Sequence, residues 1–243
     1  MKTKSILLIL FAISIVFTSC SKKNEFIKPS GNVITKTMSV DDINKLDIEG
    51  PYNVSVSLTS DEEGVIIEAD DNLHQYIERL QIEDRLVVKF TQNITVDYET
   101  ATLNLIISMK SLINIYGAGA INLIVNDEIN TDHFHLELSG ASNFQGKVNS
   151  NSFSAILTGA SDINIIGSTG EFEVIVEGAC EMYGFDFATN TLDADLEGAS
   201  RINLTVNNSM DVKASGASSV YYKGDAIINS QKLSGDSKIV KVG

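Results

Sequence analysis

From about residue 111 onward the chain alternates apolar and polar residues in short runs. Each run ends at Gly-Ala followed by Ser, Gly or Cys. The motif begins at Gly117, Gly140, Gly159, Gly178, Gly198 and Gly216, and Gly235-Asp236-Ser237 is a degenerate seventh copy. Successive copies lie 23, 19, 19, 20, 18 and 19 residues apart, and the longer first interval leaves room for an insertion around residues 126–131. Four residues after each Gly stand Ile121, Phe144, Ile163, Met182, Ile202, Val220 and Ile239. Two before stand Ile115, Leu138, Leu157, Val176, Leu196, Ala214 and Leu233. Four before stand Ile113, Leu136, Ala155, Val174, Ala194, Val212 and Gln231, and six before in the middle copies come Phe134, Phe153, Phe172, Leu192 and Met210. Every offset is even and nearly every residue is apolar, so the period is two and the elements are strands.

The same offsets recur from copy to copy, so equivalent residues stack in columns. A ~19-residue unit of two or three short strands cannot bury its inner face alone; wound as a coil, it lies beside its copy in the next coil, ~4.8 Å away. The expected fold is all-β, a parallel β-solenoid (β-helix) with a dry interior and Gly-Ala at a tight corner. A two-sheet sandwich would need hairpin signals every ~8–12 residues, and Asn-Gly turns are absent.

Upstream the pattern loosens. Gly50 behaves like a repeat glycine, with Ile48 two before, Leu46 four before and Val54 four after. Residues 65–69 and 103–108 read as strands, 79–90 as a hairpin turning at Glu83-Asp84-Arg85, and 72–78 as one helical turn. Residues 36–243 therefore form one solenoid domain, with 36–110 as irregular N-terminal coils that extend or cap the stack and 111–243 as regular repeats. In the last copy Gln231, Asp236 and Lys241 fall on columns that are otherwise apolar or small, as expected of a terminal repeat facing water.

The first residues carry an address. Lys2 and Lys4 precede an apolar run from Ile6 to Phe17, followed by Thr18-Ser19-Cys20. A positive start, a short apolar core and small residues make a secretory signal, and the run falls short of the ~20 residues of a membrane span. Small residues directly before Cys20 resemble the lipobox of bacterial lipoproteins, with Phe17 where Leu is commoner. The resemblance implies that residues 1–19 are a signal peptide and that the sulfur of Cys20 is diacylated. It places the protein in the cell envelope as an outer-membrane lipoprotein, with its membrane contact made through the lipid. Residues 20–35 read as a tether, broken at Pro29-Ser30-Gly31, whose Lys22, Lys23 and Lys28 face either headgroups or water. With Cys20 acylated, Cys180 has no disulfide partner; it takes a Ser position in the repeat, which suits a small buried corner residue.

Charge narrows the partners. With 18 Lys+Arg against 32 Asp+Glu in 243 residues the formal net charge is -14, which repels nucleic acid and anionic lipid.

Asn follows the inward Ile in Ile121-Asn122, Ile163-Asn164 and Ile202-Asn203, so Gly-Ala-Gly-Ala-Ile-Asn-Leu, Gly-Ala-Ser-Asp-Ile-Asn-Ile and Gly-Ala-Ser-Arg-Ile-Asn-Leu share spaced Gly, Ile and Asn. This set resembles the putative auto-transporter adhesin, head GIN domain family of bacterial envelope proteins, over roughly residues 43–240. Membership implies a β-solenoid, often behind a lipoprotein signal, and supplies no catalytic residues. After Phe144, Met182 and Val220 the Asn is replaced by Gln145, Tyr183 and Tyr221.

Candidate chemistry is sparse, and no catalytic residue is assigned. Gly117-Ala118-Gly119 lacks the third glycine and the following helix of a dinucleotide site. Outward Asn122, Asn164 and Asn203 suit either sugar hydroxyls or each other. His133, His135 and Glu137 share an outward face and would begin a zinc site that lacks a fourth partner. An acidic stripe is the densest cluster. Glu173, Asp193 and Asp211 stand five before their glycines, Glu177 and Glu197 one before, and Asp195 between them. Calcium, which takes oxygen ligands, is the one cofactor the stripe suggests; the simpler reading is a solvated face. Arg201 is the only cation between Gly159 and Ser209, which argues against a lyase of anionic polysaccharides on these coils. The expected role is a non-catalytic binding or adhesion module for a glycan or an envelope protein. The alternatives are a glycan hydrolase or lyase on the same fold, and a structural envelope spacer.

Overall fold

The computed structural model describes residues 25–59, 61–91 and 94–243. The signal segment, Cys20, Lys22 and Lys23 lie outside the described residues. The regular part is a stack of parallel coils. Its strands are β10 (Asn114–Gly119), β11 (Asn122–Gly140), β12 (Asn143–Gly159), β13 (Asp162–Gly178), β14 (Glu181–Gly198), β15 (Arg201–Ala214), β16 (Ser219–Lys223), β17 (Ile227–Leu233) and β18 (Lys238–Lys241). Before them come β1 (Glu25–Ile27), β2 (Val33–Ser39), β3 (Lys45–Gly50), β4 (Asn53–Leu58), β5 (Gly64–Asp70), β6 (Ile77–Ile82), β7 (Arg85–Phe90), β8 (Ile94–Val96) and β9 (Leu103–Met109). Among the described residues the only helical turn is a short 3-10 segment, His74–Tyr76.

The columns form as the repeat requires. Phe134, Phe153, Phe172, Leu192 and Met210 are register partners in successive coils. So are Phe144, Ile163, Met182, Ile202, Val220 and Ile239. The inward members from Phe134 to Val220 are buried in one continuous apolar core. Phenylalanine rings stack along it, with Phe153 and Phe172 centroids 4.8 Å apart and 20° from parallel.

The corner has a physical cause. Gly178 sits at φ +113°, and a Cβ there would lie 2.3 Å from the carbonyl oxygen of Gly159 in the coil before. Only glycine combines that backbone angle with so close an approach. The next residue donates its N–H across the same gap, as Ala179 does to Gly159 O at 2.8 Å. The Ser that follows turns inward and closes on the carbonyl three residues back: Ser142 on Ser139 at 2.8 Å, Ser161 on Thr158 at 3.0 Å, Ser218 on Ser215 at 3.0 Å.

One column assignment is corrected. The first corner glycine is Gly119, not Gly117. Gly119 pairs with both Gly50 and Gly140, while Gly117 lies between Ile48 and Leu138 in an inward column. The member of the Phe144 column is therefore Leu123 rather than Ile121, and Ile115 rather than Ile113 pairs with Leu136. A slip of two residues leaves strand alternation intact, so the pattern alone does not separate two glycines two apart. Close packing of Gly119 on Gly50 does. The insertion remains, as a register shift between Ile124 and Glu128.

Gly50 does open a coil of the stack, with Leu46, Ile48 and Val54 in the expected columns. The path around it departs from chain order. β3 and β4 form the first coil; the chain then leaves, and β7 and β9 return parallel to them on one side. β10 and β11 follow on the other side, so the first coil in sequence is the second in space. Antiparallel β6 and β5, with β2 outside β5, close this end. Residues 25–35, read as tether, are tied down instead. β1 pairs with β8, and Ser30, Gly31 and Asn32 are bonded to Asp70 and Asp71. At the far end β17 is exposed along its whole length, with Gln231 opposite Val212 and Lys241 opposite Tyr222, as a terminal coil should be.

Candidate binding site

Two outward faces of the stack carry polar side chains: one from the strand segments before each corner, the other from those after it. The face before the corner holds most of the sequence candidates. His133 Nδ1 lies 2.6 Å from Ser152 Oγ, and Glu171 follows in the same column. His135 Nε2 lies 3.9 Å from a Glu137 oxygen. Lys45, His133, His135, Ser152, Glu171 and Glu173 line an open hollow of about 450 Å³. In the acidic stripe Glu173, Asp193 and Asp211 are register neighbours, and so are Glu177 and Glu197. Asp195 pairs with Lys213 at 3.2 Å. Among the described residues the one group of three metal-capable side chains with ligand atoms within 4.8 Å of one another is Asp41, Asp42 and Glu63, outside both the stripe and the His pair. Lys110 fills that group: its ammonium lies 2.8 Å from Asp42 and 3.1 Å from Glu63. Burial pushes the Glu63 carboxyl up, but the N–H groups of Asp42 and Lys110 and the Lys110 ammonium outweigh it and hold the group below the ordinary range. Cys180 is fully buried in the Ser column, and burial pushes its thiol up, away from nucleophilic use.

The face after the corner is where the repeat breaks, and the breaks make a site. In β11 the register passes from Ile124 opposite Gln145 to Glu128 opposite Lys147, so three residues face Gly146 alone. This bulge is pinned: Asp127 accepts the Leu58 N–H at 2.8 Å, and Asn126 donates to Ser55 and Ser57. In β14 the register against β15 passes from Gly184 opposite Leu204 to Ala188 opposite Thr205, so residues 185–187 have no counterpart. Phe187 turns into the core, while Asp186 is left exposed. Between the bulges β12 and β13 pair regularly here, Gln145 beside Asn164 and Lys147 beside Ile166. The result is a trough made of two joined hollows. One, of about 300 Å³, lies at the β11 bulge over Gln145, Lys147, Asn164 and Ile166. The other, of about 260 Å³, shares Asn164 and Ile166 and reaches Tyr183, Phe185, Asp186 and Asn203.

The trough is half apolar. Ile166 is 46% exposed and Tyr183 50%. The Tyr183 hydroxyl donates to Glu181, a bond that holds the phenol above its ordinary range and leaves the ring face as the free surface. Lys223 sits over the Phe185 ring at 4.9 Å. The outward amides divide sharply. Asn143 donates to Asn122, Asn203 to the Met182 carbonyl and Asn149 to Glu128, so Asn122 and Asn203 are structural. Gln145 and Asn164, with Asp186, make no side-chain hydrogen bond or ion pair among the described residues. Sequence reasoning offered Asn122, Asn164 and Asn203 alike, for sugar hydroxyls or for each other, and of these Asn164 is left unbonded. The same reasoning missed Gln145, Ile166, Tyr183, Phe185 and Asp186, for which the uneven repeat intervals were the available signal.

The comparisons agree with this architecture. No curated protein matches the chain. A crystal structure of a putative adhesin from Bacteroides fragilis NCTC 9343 superposes with a TM-score of 0.78 at 20% identity, over 88% of this chain and 97% of that one. A putative adhesin from Parabacteroides merdae ATCC 43184 gives 0.72 at 19% identity, over 90% of this chain and 100% of that one. A putative lipid binding protein from Parabacteroides distasonis ATCC 8503 gives 0.73 at 16% identity, with the same coverage. At these identities the likeness speaks for the fold. The family model described as putative auto-transporter adhesin, head GIN domain matches residues 42–226, from just before β3 to just after β16. With three quarters of its sequence matched and its coils stacked as that sequence requires, this chain belongs to the putative auto-transporter adhesin, head GIN domain family.

Proposed function

We propose that the protein is a lipid-anchored binding module of the bacterial cell envelope, held to the outer membrane through Cys20, and that it binds a glycan without turning it over. The observation that carries this reading is an outward column running across the coils: Gln145, Asn164 and Tyr183, exposed register partners in successive coils. A rigid stack offers such groups at a fixed repeat, which suits a ligand that is itself a repeating polymer. The family's adhesin description and the envelope setting support the same role. Catalysis of glycan cleavage would need an acid/base pair aimed at one bond, and the trough holds one unpaired carboxylate, Asp186, beside amides.

The test is a glycan-binding screen run together with a product assay, with lipids and envelope extracts as further arms. Binding without product release supports the reading; released product would make the protein a hydrolase or lyase. Silence toward every glycan alongside a deletion phenotype would favour a spacer. For the anchor, intact protein should carry acyl chains by mass spectrometry, and Cys20→Ser should lose them and leave the membrane fraction. Wild-type protein without acyl chains refutes the anchor.

A further inference from the structure

We infer that the trough between the two bulges is a subsite for a short, uncharged glycan segment lying along the solenoid axis, one sugar per coil. The inference rests on the glycan-binding reading above and adds the place, the direction and the class of sugar.

Direction follows from spacing. Across the strands, equivalent side chains repeat every ~4.8 Å, close to the advance per sugar along an extended glycan chain; along a strand, same-face side chains repeat every ~6.7 Å, which fits a sugar chain poorly. Across the strands Gln145, Asn164 and Tyr183 are consecutive register partners, so they would meet consecutive sugars. Length follows from the walls. The β11 bulge closes one side and the β14 bulge the other, so the floor spans about three coils and room exists for two or three sugars.

Chemistry follows from what is left unused. A sugar presents an apolar C–H face and hydroxyls at its edge. The Tyr183 ring and Ile166 offer an apolar platform, and the Tyr183 hydroxyl is already committed to Glu181. Gln145 and Asn164 each keep a donor and an acceptor free, and Asp186 keeps acceptors, the set that pairs with hydroxyls. The other amides around this face are already bonded to the protein, which separates these two from the rest. Charge sets the class. Among the described residues Lys147 lines the trough paired with Glu128, Lys223 is held at its edge over the Phe185 ring, and Asp127 and Asp186 add negative charge, so uronic or sialic acids are disfavoured.

The experiment is titration calorimetry of the purified full chain in detergent. The probes are linear neutral oligosaccharides of two to five hexose or N-acetylhexosamine units, with matched oligosaccharides carrying uronic or sialic acid. Affinity should rise from two to three units and level off beyond. Asn164→Ala and Tyr183→Ala should each weaken binding at least tenfold, and Glu173→Ala, on the other face, should leave it unchanged; all three should keep the wild-type melting temperature. Full binding by the Asn164→Ala/Tyr183→Ala double variant overturns the site while the glycan reading stands. Preference for the acidic probes overturns the neutral class, and affinity that climbs steadily past three units overturns the bounded trough. No binding to any probe overturns both this inference and the reading beneath it.

Discussion

Phe172 gives the sharpest test of the stacked core. Its ring is 2% exposed. It stacks on Phe153 at 4.8 Å and meets Phe187 edge-on at 5.5 Å and 78°. Phe172→Ala empties a site whose walls are held by coils on both sides and cannot collapse. The expected loss is ~3–5 kcal/mol, the usual range for deleting a buried aromatic ring. Part of that is pairwise: a double-mutant cycle with Phe153→Ala should return a coupling of ~0.5–1.5 kcal/mol. Phe172→Leu should be much milder, because Leu192 already fills the paired position in the next coil. Glu173, one residue along, points outward between Ser154 and Asp193, and Glu173→Ala should stay within about ±0.5 kcal/mol. Urea unfolding followed by circular dichroism measures all five variants, the Phe153→Ala single and the double variant included. Since coils contact mainly their neighbours, hydrogen exchange should place the loosened amides of Phe172→Ala in β12, β13 and β14. Equal losses for Phe172→Ala and Glu173→Ala would refute the register and the column argument with it.

Gly178→Ala should destabilise by more than ~1 kcal/mol, because the added Cβ meets the Gly159 carbonyl at a positive φ; an unchanged urea midpoint would deny the corner. Glu63 has its carboxyl pKa depressed in the fold, so its contribution to stability is present above the unfolded value of ~4.3 and disappears as pH falls through the lower folded value. Amides around Asp42 and Lys110 should therefore lose exchange protection below about pH 4, and Glu63→Gln should flatten that acid dependence; an identical profile in the variant refutes the linkage. If the acidic stripe takes calcium, added calcium should raise the unfolding temperature and Asp193→Asn with Asp195→Asn should cancel the rise; a flat wild-type response leaves the solvated face.

Much of the fold was legible because its two governing periods are local. Alternation told which side of a strand is inward, and recurrence near nineteen residues told which residues must stack, so the Phe153–Phe172 pair and the place of Cys180 followed from spacing. The slip from Gly117 to Gly119 shows the limit: both choices keep the same residues inward, and only contact with Gly50 distinguishes them. The tether was misread for a related reason. Its polar residues look solvated until Asp70 and Asp71, some forty residues on, supply their partners.

By itself, then, the sequence determined the solenoid, its handful of columns and the glycine corner, since each coil repeats the same local instructions and can satisfy them only by stacking on a copy of itself. Tertiary structure alone decided the rest. The order of coils at the N-terminal end depends on which of several apolar strands pair with β3 and β4 on each side, and no local pattern encodes that choice. The trough depends on where surplus residues leave the ladder. The intervals disclose that β11 and β14 carry extra residues, but whether the bulges fall on one face, and which amides their neighbours leave unbonded, is settled only when the coils are laid side by side.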